Sequence, residues 1–164
     1  MISLAEAGPD AGPKAATLGN LLRAGFPVPP GYVVLPGDVP VLTDLPDRLY
    51  AVRSSASTED TAQQSAAGMY DSFLGVDRAA LADRIAATRA SLWSPRAADY
   101  RRTDAQMTVI VQQHVEADVS GVLFTGSPTQ VEASWGLGES VVSGRVTPRR
   151  LHPRQRRAHR PPPR

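Results

Sequence analysis

The sequence predicts an α+β protein, and three observations carry that prediction. Two stretches show helical periodicity, several short β-branched runs are separated by Gly, Pro and Asp, and the runs of the second half lie close enough for antiparallel hairpins. A chain of 164 residues suits one domain that buries a real core, and 41% hydrophobic with 21% charged residues is ordinary for a globular protein.

Taken in order, GPKAATLGNLLRAG (12–25) reads as a helix, with Pro13 in its first turn and Gly25 at its C-terminal cap. Ala15, Leu18, Leu21 and Leu22 form its apolar stripe. FPVPPG breaks the chain, YVVL (32–35) is a strand, and the Pro- and Asp-rich 36–47 is a connector. LYAVRS (49–54) and SFLGV (72–76) are strands that flank a long polar loop. Loops of that length are uncommon unless they serve a function. DRAALADRIAATRASLW (77–93) is the clearest helix, with Asp77 as N-cap and Leu81, Ile85, Thr88 and Leu92 spaced i, i+4, i+7, i+11. PRAADYRR begins a short second helix. MTVIVQQHV (107–115) and SGVLFTG (120–126), joined by EAD, read as a hairpin. QVEASW (130–135), the turn GLGE and SVVSGRV (140–146) add strand. Trp93 and Trp135 are expected in a core or an interface, and His114 as a packing or hydrogen-bonding residue.

Charge is unevenly distributed. The net charge of +2 combines a body with ten basic and sixteen acidic residues and a segment from Arg145 with eight arginines and no acid. Of the 18 basic residues only Lys14 is lysine. Lys and Arg differ as phosphate ligands, so a solitary lysine at a helix start draws notice. The absence of cysteine excludes a disulfide framework and thiolate metal ligation. The first residues, MISLAEAGPDAG, have neither a basic nor an apolar signal region, and no apolar run is long enough to span a bilayer. A cytoplasmic location and no membrane partner are the expectation.

Three glycine-containing elements suit anions. Gly12-Pro13-Lys14 stands at a helix N-terminus, where free N–H groups and the dipole favour phosphate. Arg53-Ser54-Ser55 leaves a strand, with Ala66-Ala67-Gly68-Met69 further along the same loop. Arg can grip a phosphate bidentately, and glycine lets backbone approach it. The third element is Gly136-Leu137-Gly138-Glu139. None matches the Walker pattern or the dinucleotide fingerprint, and each alone is a weak signal.

Their combination is specific. GPKAATLGNLLRAGFPVPPGYVV, AVRSSASTED, SAAGMYDSFLGV, VIVQQHVEADVSGVLFTGSP and VEASWGLGESVVSGRVTP resemble, in this order, the ATP-binding domain shared by phosphoenolpyruvate synthase, pyruvate phosphate dikinase and rifampin phosphotransferase. The resemblance covers most of 12–148 and implies an ATP-grasp-like nucleotide site in two subdomains, about 1–104 and 105–148. It implies that Lys14 and Arg53, with Ser54 beside them, contact the phosphates, and that the loop of Gly68 and Met69 closes as a flap. Gln112 and Val115 would lie at the adenine hinge, while Glu132, Gly136, Gly138 and Glu139 would line the nucleotide. ATP is the implied ligand and Mg²⁺ the implied metal, neutralising the departing phosphates. The synthases pass the phosphoryl group to a histidine on another domain and then to pyruvate; the rifampin enzymes pass it to an antibiotic hydroxyl.

The sequence departs from that pattern twice. Only 36–48 stand where the family carries a longer helical segment. The family's closing Asp-x-Glu and Gln-x-Arg-Pro, which hold Mg²⁺ and phosphate, have no counterpart, since no acid follows Glu139. No catalytic residue and no metal ligand are assigned. The expected function is the ATP-binding part of a dikinase-type phosphotransferase, incomplete at its C-terminal end and inactive alone, with the remainder supplied as another chain. A non-catalytic nucleotide-binding or interaction module is the first alternative. A nucleic-acid binder using the basic tail is the least favoured, because the tail lacks interleaved aromatics. The Arg/Pro-rich 149–164 is expected to be disordered, and its abrupt composition is what an out-of-frame reading of a GC-rich gene produces.

Overall fold

The computed structural model describes residues 1–56, 70–98, 105–125, 128–138, 141 and 147–151, which fall into two units, Met1–His114 and Val115–Arg164. The mixed helix-and-sheet class expected from the sequence is what the chain adopts.

The first unit is built on one antiparallel sheet. Its strands are β1 (Ile2–Ser3), β2 (Gly31–Val34), β3 (Tyr50–Ala56), β4 (Phe73–Val76) and β5 (Met107–Gln113), in the order β1-β2-β5-β3-β4. β5 is the central strand: Ile110 lies opposite Val33 on one side and Arg53 on the other. This corrects the hairpin expected between 107–115 and 120–126. The MTVIVQ run is apolar at nearly every position because both faces of a central strand are covered, and six of its seven residues are buried. That run therefore belongs to the first unit, and the division between units falls after His114.

The two faces of the sheet carry separate cores. On one, Val33 and Ile110 pack with Leu4, Ala7, Ala11 and Ala15, supplied by short 3₁₀ turns and by helix α1 (Pro13–Arg23). On the other, Val34, Val52, Val109 and Val111 pack with Leu81 and Ile85 of α2 (Leu81–Ala90) and with Leu92. The stripe expected for the second helix is thus the buried one; Leu81, Ile85, Thr88 and Leu92 are all buried. Asp77 caps the turn before α2, accepting from Ala80 N at 2.9 Å.

α1 ends as its sequence dictates. Gly25, at φ 80°, lets Gly25 N reach Leu22 O and Phe26 N reach Leu21 O, both at 3.0 Å, which satisfies the last carbonyls by a Schellman turn. The connector 36–47 is tied down rather than loose. Leu45 is buried, Arg89 donates to Leu35 O and Asp38 O, Arg78 donates to Thr43 O, and the Tyr50 hydroxyl donates to Pro46 O. Asp38 accepts from the Met1 amine at 2.8 Å. Trp93 lies open to solvent at the end of the α2 segment, at 64% exposure, so it is not a core residue.

The second unit holds an antiparallel sheet of β6 (Val119–Phe124), β7 (Gln130–Trp135) and β8 (Arg149–Leu151), in that order. Gly136 N donates to Asp118 O at 2.8 Å, closing the end of the β6–β7 pair. β8 corrects the expectation of disorder from residue 149: Glu132 stands opposite Arg150 in the ladder, and Arg150 Nε donates to Glu132 Oε1 at 3.1 Å. Among the described residues of this unit none is buried, and Trp135 is 76% exposed. The strand expected at 140–146 lies almost entirely outside the described residues. Among the described residues no helix is long and apolar enough to cross a membrane.

Candidate functional site

Side chains alternate across a strand, so the position of Ile110 decides which residues of β3 face α1. Ile110 packs in the core beneath α1, and Arg53 lies directly opposite it. Ala51, Arg53 and Ser55 therefore share the α1 face of the sheet, while Val52, Ser54 and Ala56 share the α2 face. Gln112, two residues from Ile110 and paired with Ala51, belongs to the α1 face as well.

The N-terminus of α1 meets this face directly. Gly12 is the N-cap, Pro13 and Lys14 are the first two helical residues, and Ala15 is the third. A glycine N-cap offers no side chain to the amides of the first turn. The acceptor comes from the sheet instead: Ser55 Oγ, fully buried, accepts from Ala15 N at 3.0 Å and donates to Ala11 O at 2.9 Å. Gly12 is held at φ 81°, ψ 160°, and a Cβ there would stand 2.5 Å from Ser55 O. The helix start and the strand are in backbone contact.

One face of the first unit thus brings together the helix N-terminus bearing Lys14, the strand bearing Arg53, and Gln112. Lys14 and Arg53 are both half-buried. A helix N-terminus with a lysine in its first turn, packed on the sheet face that carries a strand arginine, suits a polyanion with phosphate geometry. The structure does not bring the Ser54 side chain to that face; it is buried on the α2 side. The Gln112 side chain is committed to the fold, with Nε2 donating to Pro29 O at 2.7 Å. At the same strand end, Gln113 N donates to Pro30 O and His114 N to Leu49 O. Of the other residues expected at the site, Val115, Glu132, Gly136 and Gly138 belong to the second unit. Val115 is exposed there, and the Glu132 carboxylate accepts from Arg150. Gly68, Met69 and Glu139 lie outside the described residues.

Among the described residues no group of three or more His, Cys, Asp or Glu is placed to hold a metal ion. No chemical step is assigned to a metal ion. Sequence reasoning quoted Ser55 but gave it no role. The signal was a glycine at the N-cap, which requires that an acceptor for the first-turn amides come from elsewhere.

Residues 41–159 match the family described as "Pyruvate phosphate dikinase, AMP/ATP-binding domain". The chain is 35% identical to the prodigiosin synthesizing transferase PigC of Serratia marcescens, over 83% of this chain and 21% of that protein. It is 32% identical to a probable phosphoenolpyruvate synthase of Methanothermobacter thermautotrophicus, over 84% of this chain and 31% of that protein. It is 43% identical to the rifampicin phosphotransferase of Streptomyces sviceus, over 60% of this chain and 13% of that protein. The chain spans less than a third of the length of each.

Proposed function

Because the chain belongs to the pyruvate phosphate dikinase AMP/ATP-binding domain family, we propose that it is the ATP-binding part of a dikinase-type phosphotransferase, and that the α1 face of its first unit holds the nucleotide phosphates. The observation that carries this reading is the gathering of Lys14, Arg53 and the α1 N-terminus on one side of the central sheet. In phosphoryl transfer the protein's contribution is positioning and charge stabilisation, and this face supplies both. Arg53 offers a planar fork to two phosphate oxygens, Lys14 a compact charge, and the helix N-terminus a fixed dipole.

The ATP-grasp-like assignment of the fold belongs to the same proposal and rests on family membership. So do a flap role for the loop of Gly68 and Met69 and nucleotide contacts from Val115, Glu132, Gly136 and Gly138. The Gln112 side chain is tied to Pro29 O, so a contact of that side chain with adenine would have to replace this hydrogen bond. Binding, not turnover, is what we assign to this chain alone. Among the described residues no group of three or more His, Cys, Asp or Glu is placed for a metal. Transfer to pyruvate or another acceptor would draw on the rest of such an enzyme.

Calorimetric titration of the chain with ATP tests the reading. Saturable binding that is weakened by Lys14→Ala and by Arg53→Ala, with circular dichroism unchanged, supports it. Absence of ATP binding by the folded wild-type chain overturns it.

A further inference from the structure

We propose that Ser55 is a positioning residue of the phosphate-binding face: its hydroxyl fixes the helix start that carries Lys14 against the strand that carries Arg53. This inference rests on the nucleotide reading above. Ser55 is fully buried, and its Oγ makes two hydrogen bonds to one short segment, accepting from Ala15 N at 3.0 Å and donating to Ala11 O at 2.9 Å. Those two groups bracket Gly12, Pro13 and Lys14, so one hydroxyl holds both ends of the tripeptide. It supplies the acceptor that the glycine N-cap lacks, from a residue 40 positions further along the chain.

Gly12 completes the device. A Cβ there would stand 2.5 Å from Ser55 O and 2.7 Å from Ser55 Oγ, so the approach that lets the hydroxyl reach both partners requires glycine. Ser55 and Arg53 lie on the same face of β3, two residues apart, and that part of β3 is paired on β5 from Arg53 to Ala56. A rigid strand therefore sets the position of Arg53, and Ser55 sets the position of Lys14 relative to it. Two cations that must meet neighbouring phosphates depend on that spacing, because charge-assisted hydrogen bonds are geometry-sensitive. Ser55 touches no phosphate in this scheme and acts only through the helix start.

The test uses the full chain with Ser55→Ala, Ser55→Thr and Ser55→Cys, probed with ATP and with adenosine, alongside amide hydrogen exchange at Ala15. Ser55→Ala is expected to weaken ATP by about tenfold or more while leaving adenosine affinity within about twofold, and to speed exchange of the Ala15 amide about tenfold. Ser55→Thr, which keeps the hydroxyl, is expected to restore both. If Ser55→Ala does not fold, Ser55→Cys replaces it, its weak hydrogen bonding giving a smaller loss of the same kind. Equal loss of ATP and adenosine, or unchanged ATP affinity in a folded variant, overturns the proposal. Failure of the wild-type chain to bind ATP overturns the nucleotide reading itself, and the Ala15 exchange then shows separately whether Ser55 holds the helix start.

Discussion

Replacing Gly12 with alanine tests the contact between helix start and strand most directly. Two effects add at this position. Its backbone, at φ 81° and ψ 160°, lies in a region open essentially to glycine alone, where another residue costs about 1–3 kcal/mol. The added methyl would also stand 2.5 Å from the Ser55 carbonyl oxygen, well inside van der Waals contact. Overpacking of a buried site costs about 1–3 kcal/mol. Alanine reduces the freedom of the unfolded chain and returns about 0.4–1 kcal/mol. The net expectation is a loss of about 1–5.6 kcal/mol, a large share of the roughly 5–15 kcal/mol that holds a domain together. Gly25→Ala is the matched control. It too has positive φ, 80°, but nothing stands within 4 Å of its added methyl, so its cost is about 1 kcal/mol. Urea unfolding of both variants, followed by circular dichroism with a shared slope, measures the difference. If Gly12→Ala proves no more destabilising than Gly25→Ala, the close docking of α1 on β3 is not as described.

Three further outcomes follow from the same structure. Lys14→Ala and Arg53→Ala should each raise the ATP dissociation constant about 10- to 100-fold, the equivalent of about 1.4–2.7 kcal/mol for a charged hydrogen bond, with the fold retained; calorimetry reads the affinity and circular dichroism the fold. Ile110→Ala removes a fully buried side chain from the central strand and should destabilise by about 2–5 kcal/mol, measured by urea unfolding. The hydrogen bond from the Met1 amine holds the Asp38 carboxyl below its usual range, aided by Leu35 N and by the charges of the amine and Arg89, while burial opposes them. A carboxyl with a lowered folded value stabilises above its unfolded value, and that contribution is lost as pH falls through the folded value. Asp38→Asn should therefore be less stable than wild type at neutral pH, the gap closing as pH falls below about 4; thermal melts across pH would refute this if the gap were constant.

Local sequence determined a good part of this protein. Pro13 and Gly25 bound α1 because a first-turn proline surrenders no hydrogen bond and a positive-φ glycine closes the last turn. The spacing of Leu81, Ile85, Thr88 and Leu92 named the buried stripe of the second helix, since helical periodicity is a property of neighbours in the chain. Ordered motifs also identified the family, a relation that needs no geometry.

Only the tertiary structure decided which strands pair and which side chains share a face. The central place of β5, between β2 and β3, is a long-range pairing to which the adjacency of 107–115 and 120–126 gave the wrong clue. The entry of Arg149 and Arg150 into the second sheet likewise came from a partner strand, not from the composition of the tail. Of the adjacent Ser54 and Ser55, one packs toward α2 and the other caps α1, and no property of the two serines themselves distinguishes them. Strand pleat makes that choice only once Ile110 fixes the parity of the sheet, which is why the residue types of β3 could be read from the sequence and the faces they take could not.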